Sequence, residues 1–478
     1  MLNDAYPLFL ANEPLAHNAD LIVTNKYTLE PAARVARADA EMIDHAVAAA
    51  TKAFELTRKM PSHQRQAILN HAAGRIEQRH DELSQALAIE AGKPLRDARV
   101  EVTRLSETFR IAAEEAVRIT GEYLPLDVNP RAGDYEAVTR RFPLGPCGFI
   151  TPFNFPMNLV AHKAAPAIAA GCSWVLKPAS ATPIGALMLG EILAETDLPK
   201  GAFSILPCTG DEAGQIVTDE RLKLLSFTGS AEVGWNLKTL AGKKRVCLEL
   251  GGNAGCIVDR DADLAFAADR ITLGAFYQSG QSCISVQRVY AHREIYEDLK
   301  ALLVERAAML KTGDPLSEET FLGPLITVND AERIEAWVAE AVAAGARILS
   351  GGKRDGAFYE ATWLENADRE QKVNRCEVFA PVATLAPFDS FRDAVAAVND
   401  SDFGLQAGVF TKHIDHAMYA FNELEVGGVV VNDMPSFRVD SMPYGGVKNS
   451  GFGREGVRWS IEEMTELKLL VMNKLGKL

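Results

Sequence analysis

The period of apolar residues changes along the chain. From about residue 39 to residue 119 they recur three and four apart, through Met42-Ile43, Ala46-Val47 and Ala50, then through Leu83, Leu87 and Ile89, which predicts amphipathic helices. Gly92-Lys93-Pro94 interrupts this pattern, and a further helix is expected from about Ala98 to Arg118. The stretch from Gly121 to Arg141 differs: Pro125, Asn129-Pro130 and Gly133 precede the β-like Glu136-Ala137-Val138-Thr139, an excursion from the main body. From Gly145 the rhythm becomes strand, turn, helix. Strands are expected at Cys147–Ile150, Ser173–Leu176, Phe203–Leu206 and Leu224–Phe227, with helices from about Asn158 to Ala170 and Pro183 to Glu195. That alternation predicts a doubly wound parallel sheet covered on both faces, with ligands at the carboxyl ends of its strands. Residues 257 to 430 repeat it and predict a second α/β unit. Met464 to Val471 alternates like an edge strand, suited to pairing with another subunit.

Composition narrows the classes of function. At 478 residues the chain has room for two or three domains with full cores. A net charge of −14 argues against a general nucleic-acid or anionic-membrane surface. Seven cysteines, an odd number without paired metal-ligand spacing, suit a reducing cytoplasm and imply neither a disulfide framework nor a metal site. Met1-Leu2-Asn3-Asp4 opens no basic segment followed by an apolar run, and no uncharged apolar run reaches membrane-spanning length.

Three stretches carry candidate chemistry. Gly280-Gln281-Ser282-Cys283 follows an Ala-rich helical run, and its small polar neighbours leave the sulfur reachable, whereas most cysteines are small buried apolar residues. A thiolate nucleophile needs a base and an oxyanion donor brought to it by the fold. Arg245 to Gly252 reads as a buried strand carrying one carboxylate, Glu249, into a double glycine. Such a glutamate is either paired or a general base tuned by its pocket. Phe227-Thr228-Gly229-Ser230 stands where a strand hands over to a helix, so Gly229 admits close approach of a phosphate to free amides. A plain turn explains that last stretch equally well.

Taken in order, the motifs are specific. They run Pro152-Phe153-Asn154-Phe155-Pro156, Lys177-Pro178-Ala179-Ser180, Phe227-Thr228-Gly229-Ser230, Leu248-Glu249-Leu250-Gly251-Gly252, Gly280-Gln281-Ser282-Cys283, Glu377-Val378-Phe379-Ala380-Pro381 and Pro443-Tyr444-Gly445-Gly446-Val447-Lys448. With them the chain resembles the NAD(P)-dependent aldehyde dehydrogenase superfamily over essentially its whole length. The resemblance implies an α/β fold with a Rossmann-like cofactor domain (1–121 and 142–251), an α/β catalytic domain (252–445) and a small β oligomerisation excursion, 122–141 with 455–478. It implies that Cys283 attacks the aldehyde, that Asn154 and the Cys283 amide receive the oxyanion, and that Glu249 activates the water that hydrolyses the thioester. The implied cofactor is NADP or NAD. Lys177 lies on its adenosine ribose, Ser230 on its pyrophosphate, Glu377 on its nicotinamide ribose and Phe379 against its nicotinamide end. Thr151, Pro152, Phe153, Ser180, Gly210, Phe227, Thr228, Gly229, Leu250 and Gly251 complete the implied cofactor set. The implied partners are a small-molecule aldehyde and further copies of the chain, as a homodimer or homotetramer.

Departures from the family pattern bear on specificity. Ser180 stands where NAD-specific relatives often carry a ribose-chelating glutamate; without a carboxylate to repel a 2′-phosphate, NADP is expected and NAD remains open. Arg104 stands where many relatives have an apolar residue, and His162 where many have tryptophan. The run Phe437-Arg438-Val439-Asp440-Ser441-Met442 resembles the branch of lactaldehyde, phosphonoacetaldehyde and non-phosphorylating glyceraldehyde-3-phosphate dehydrogenases. Arg104, His162, Ser282, Phe437 and Arg438 are therefore the expected substrate residues, facing a short polar or anionic aldehyde. Ser282, where this branch can place an arginine, keeps succinate semialdehyde open as an alternative. A CoA-acylating activity is disfavoured by the presence of Glu249, and a non-catalytic structural role by Cys283, Glu249 and Asn154 together.

Overall fold

The computed structural model describes residues 2–474. Its first half is built on an eight-stranded sheet. Five strands are parallel, in the order Arg245–Glu249, Leu224–Thr228, Cys147–Ile150, Trp174–Lys177 and Phe203–Ile205. The strand residues are apolar without alternation because both faces are covered. Phe149, Leu176 and Leu224 face one cluster, whereas Ile150, Val175 and Leu225 face another. Two antiparallel strands, Leu8–Leu10 and Glu13–Leu15, extend one edge, and Gly451–Phe452 closes the other beside Leu248 and Glu249.

Four helices precede the sheet: Ala40–Thr57, Ser62–Gln78, His80–Ala91 and Leu95–Ala116. Leu69, Ala72 and Ile76 share a core with Val102, Leu105 and Phe109, at the three- and four-residue spacing of one helix face. The last of these helices begins at Leu95, three residues earlier than the expected Ala98. Pro94 directly precedes its first turn, where a missing N–H is tolerated, so the proline starts this helix as well as ending the preceding break.

A second, seven-stranded sheet contains Ala254–Val258, Val286–His292, Val382–Phe388, Thr362–Glu365, Gln406–Phe410 and Gly428–Val431 in parallel pairings, with Arg347–Ser350 antiparallel at one edge. The excursion forms a third sheet, in which Tyr135–Pro143 pairs with Tyr123–Pro125 and, over nine residues, with Thr465–Asn473. The C-terminal strand therefore finds its partner within its own chain. Past Thr465 it is exposed on both faces, Leu467 58% and Leu470 57%, so its alternating sequence does not mark a buried face inside one protomer. Residues 475 to 478 of the predicted oligomerisation segment lie outside the described residues. Among the described residues no helix is long and apolar enough to cross a membrane.

Candidate active site

The carboxyl ends of the five parallel strands set out the site. Glu249, Thr228 and Lys177 each end a strand, and Thr151 directly follows one. The strands ending at Ile150, Lys177, Ile205 and Thr228 each lead to a helix whose first amides need acceptors, whereas the strand ending at Glu249 leads through Gly251-Gly252 to the strand Ala254–Val258. Most of these are already capped. Glu101 accepts from the amides of Met157 and Asn158, both at 3.1 Å, at the head of the helix Asn158–Ala170. Glu90 accepts from Ile184 and Gly185, both at 2.8 Å, at the head of Ile184–Ala194. Thr209 and Glu212 form a capping box on Gly210–Thr218. The helix Ala231–Leu240, preceded by Ser230, has no side-chain cap. Its amides and dipole face the cleft, the buried Thr228 hydroxyl beside it lacks a partner, and a side chain on Gly229 would collide with the Phe227 ring. This cradle fits the pyrophosphate of a dinucleotide.

The nucleophile segment is held in an unusual backbone. After the helix Leu264–Phe276, Gln278 (φ 51°), Ser279 (φ 56°) and Gly280 (φ 68°) are successively left-handed. Only the glycine adopts this without strain, and a side chain there would collide with the Ala380 carbonyl. The surroundings hold the other two. The buried Asp97 accepts from the Gln278 amide at 3.2 Å, the Gln278 side chain donates to the Asn154 carbonyl, and Ser279 donates to the Gly323 carbonyl at 2.7 Å. Asn154 Nδ2 in turn donates to the Gln281 carbonyl at 3.1 Å and keeps a second proton free.

Cys283 lies on the cavity wall with Sγ 3.1 Å from Tyr444 Oη. Burial pushes its thiol up to about 12; Tyr444 and Arg438 pull the other way. Both carboxyl oxygens of Glu249 are buried without partners. Burial, reinforced by the negative Glu455, holds this carboxyl well above the usual range against the pull of Arg438 and Lys163.

Behind these groups stands a chain of charges. Lys163 Nζ donates to Ser226 Oγ at 2.7 Å and to Glu455 Oε1 at 2.8 Å. Burial would raise Glu455, but Lys163 and its other polar neighbours outweigh this and keep it ionised. Arg104 grips Asp440 with two bonds, Nη2 to Oδ1 at 2.7 Å and Nε to Oδ2 at 3.2 Å. His162 Nε2 lies 2.8 Å from Asp440 Oδ1, and Arg438 Nη2 lies 3.1 Å from His162 Nδ1. A guanidinium cannot accept, so Nδ1 accepts from Arg438 and the His162 proton sits on Nε2, facing the carboxylate. Arg438 lies over the Tyr444 ring, 3.6 Å from its centroid, and its buried Nε has no partner.

One cavity of about 310 Å³ brings most of the expected residues together. Asn154, Glu249 and Cys283 line it beside Pro152, Phe153, Thr228, Gly229, Ser230, Leu250, Gly251, Glu377 and Phe379, and beside Arg104, His162, Ser282 and Arg438. Glu377 accepts from the Gly252 amide at 2.9 Å, and burial raises its carboxyl to about 7. Lys177, Ser180 and Gly210 lie off this cavity, around the neighbouring strand ends, where Ser180 Oγ donates to the Cys208 carbonyl at 3.3 Å. Thr151 and Phe227 are buried and do not line the cavity.

Two expectations change. Phe437 is 42% exposed and does not line the cavity, because its neighbour Arg438 is the residue turned inward. Arg104 is not a buried cation awaiting a substrate anion, since Asp440 already supplies its counter-charge. Sequence reasoning missed Asp440, Tyr444, Lys163 and Glu455 as members of this site. A lysine and a histidine among the apolar residues that follow Asn158 in the fully buried helix Asn158–Ala170 were the available signal. Among the described residues no cluster suited to a metal ion occurs.

Comparison with known proteins agrees with this geometry. The model of the aldehyde dehydrogenase family matches residues 15–470. A 3-sulfolactaldehyde dehydrogenase of Priestia aryabhattai is 45% identical over 469 residues, 98% of each chain. The crystal structure of aldehyde dehydrogenase 21 from Physcomitrella patens, in complex with the reaction product succinate, superposes with a TM-score of 0.98 at 48% identity, covering 100% of both chains. Glyceraldehyde-3-phosphate dehydrogenase GapN from Methanocaldococcus jannaschii, complexed with NADP, gives a TM-score of 0.92 at 39% identity, over 96% of this chain and 100% of that one.

Proposed function

The chain belongs to the aldehyde dehydrogenase family, and we propose that it oxidises a short aldehyde with an anionic or hydroxyl-bearing tail to the carboxylate, with NADP preferred over NAD. The observation that carries this reading is the single cavity in which Cys283, Glu249 and Asn154 meet the uncapped helix after Ser230 and the polar wall of Arg104, His162 and Arg438. The relatives that act on sulfolactaldehyde, or that hold succinate or NADP, support the same direction.

Cys283 attacks the carbonyl carbon, and the oxygen that becomes negative is received by the free Asn154 Nδ2 proton and the Cys283 amide. Each such donor typically contributes about 3–4 kcal/mol to the transition state. When bound, the nicotinamide supplies a hydride acceptor. Glu249 in its carboxylate form takes a proton from the water whose oxygen attacks the thioester and releases the acid from the sulfur. The pyrophosphate is assigned to the amides after Ser230, the nicotinamide ribose to Glu377, and the adenosine ribose to Lys177 and Ser180. Arg438, with Nε unpartnered in the cavity wall, is the better anchor for an anionic tail; Arg104 reaches it only with the part of its fork left by Asp440. Succinate semialdehyde is the second reading, favoured by the relative that holds succinate. We read the protein as a cytoplasmic homodimer or homotetramer, with the doubly exposed strand Thr465–Asn473 at a subunit contact.

The test is a screen of purified enzyme against lactaldehyde, sulfolactaldehyde, glyceraldehyde 3-phosphate, succinate semialdehyde and propanal, with NADP and NAD in parallel. The reading expects kcat/KM for the polar and anionic aldehydes to exceed that for propanal at least ten-fold. Equal rates throughout would defeat the substrate assignment. Acyl-CoA formed stoichiometrically on adding CoA would move the enzyme to the acylating class.

A further inference from the structure

We propose that Tyr444 is a catalytic residue of this enzyme, the hydrogen-bond donor that holds the Cys283 sulfur as its thiolate, with the Arg438 guanidinium over its ring strengthening that donor. The inference rests on the assignment of Cys283 as nucleophile and adds a group that this assignment does not require. Three observations carry it. Tyr444 Oη lies 3.1 Å from Cys283 Sγ, within the longer reach of hydrogen bonds to sulfur. Among the described residues no other side chain bonds that sulfur. The phenol is buried, and Arg438 covers its ring 3.6 Å from the centroid.

The direction of the bond follows from the surroundings. Burial keeps the Tyr444 hydroxyl well above its ordinary range, so it stays a phenol and donates to an anion beside it. The charged and titratable groups facing Cys283 are Tyr444, Glu377, Arg438, Glu249 and Tyr277. Burial of the sulfur is the largest obstacle to its ionisation, and the two carboxyls add to it. Tyr444 and Arg438 are the groups that counter them. Asp440 and His162 hold this pair in place, since the tautomer they set leaves His162 Nδ1 to receive Arg438 Nη2. The step balances without an outside reagent. The Sγ proton passes to the carboxylate form of Glu249, a stronger base for its raised carboxyl; a sulfur lone pair forms the S–C bond, the carbonyl π pair moves on to oxygen, and Tyr444 keeps its proton throughout.

The experiment follows the pH dependence of Cys283 alkylation by iodoacetamide in the full-length enzyme without cofactor, and of kcat/KM with cofactor. Tyr444→Phe keeps the ring under Arg438 and removes only the donor. It should raise the alkylation midpoint by about one pH unit or more, because a charge-assisted bond to the thiolate is lost. Near neutral pH kcat/KM should fall about ten-fold, with the deficit shrinking as pH rises and cofactor affinity unchanged. Replacing Tyr444 by difluorotyrosine, a stronger donor of nearly the same shape, should lower the midpoint instead. Unchanged midpoints in these two proteins, or a deficit equal at every pH, would overturn the inference. Cys283→Ala separates the two layers. If it still oxidises aldehydes, the nucleophile assignment falls; if it is inactive while Tyr444→Phe titrates like wild type, only the role of Tyr444 falls.

Discussion

Asp440→Asn should make the enzyme less stable yet better at binding anionic aldehydes. Asp440 is almost fully buried, its side chain 1% exposed against 19% for Arg104, and its two oxygens take both Arg104 bonds and the His162 proton. The amide keeps the shape and part of the hydrogen bonding but removes the negative charge. Breaking a buried ion pair on one side typically costs about 3–5 kcal/mol, and the retained bond puts this change at the lower end. Burial pushes the Asp440 carboxyl up, but His162 and Arg104 outweigh it and hold the carboxyl well below its usual value of 3.8. A carboxyl depressed in the folded state contributes stability that is present above its unfolded pKa and is lost as pH falls through the folded one. The penalty of Asp440→Asn should therefore be constant from neutral pH down to about pH 5 and shrink only in strong acid. Binding should move the other way. Arg104 lines the cavity, and once freed it becomes an uncompensated cation beside the substrate. A charge-assisted bond to an anion contributes about 1.5–3 kcal/mol, which corresponds to a KM about ten-fold lower or more for succinate semialdehyde or sulfolactaldehyde. Propanal, which carries no tail charge, should be unaffected. Thermal unfolding and steady-state kinetics on one preparation test both arms. If KM rises equally for anionic and neutral aldehydes, Arg104 is a structural residue and the charge argument fails.

Other outcomes follow from the same site. Glu249→Gln should release a burst of reduced cofactor followed by a very slow steady state, because the thioester then lacks an activated water; wild-type turnover would make Glu249 structural. Ser180→Glu should shift the ratio of kcat/KM from NADP towards NAD, since a carboxylate repels a 2′-phosphate and accepts from ribose hydroxyls, and an unchanged ratio would remove Ser180 from the ribose. Deleting the chain after Thr465 should dissociate or unfold the protein, as it removes eight residues of the strand paired with Tyr135–Pro143 from Glu466 to Asn473; a soluble, fully active monomer on size-exclusion chromatography would refute this.

The legible parts of the molecule are those whose cause is local or repeated. The parallel strands could be read because burial on both faces forces continuous apolar runs, and Cys283, Glu249 and the turn after Thr228 because each sits in a short motif at a strand or helix end. The strands Leu8–Leu10 and Glu13–Leu15 were not legible, being too short to show a period and held at the sheet edge by Phe203–Ile205. Asp440 was read as part of a run and not as a partner, because the arginine it neutralises lies 336 residues away and no local pattern couples them. Tyr444 stood inside a recognised motif, yet its hydroxyl gains meaning only when the fold brings it to the sulfur, 161 residues away.

The charges of the site explain why so many cations surround one nucleophile. Burial opposes the ionisation of both Cys283 and Glu249, and so works against both attack and water activation. The neighbouring carboxylates oppose ionisation: Glu377 and Glu249 act on the thiol, and Glu455 on Glu249. Arg438 is the cation that favours both ionisations, while Lys163 favours that of Glu249. A substrate anion seated on Arg438 would screen part of its field from the sulfur. The same anion seated on Arg104 would not, but Asp440 holds that arginine closed. The Arg104–Asp440 pair thus sets where a tail can bind, and Arg438 links tail recognition to the reactivity of the thiol. Tail length then matters more than tail charge. An anion that reaches past Arg438 leaves the thiolate its cation, whereas one that stops on it binds tightly and reacts slowly, a separation of KM from kcat that a series of ω-carboxy aldehydes of increasing chain length would reveal.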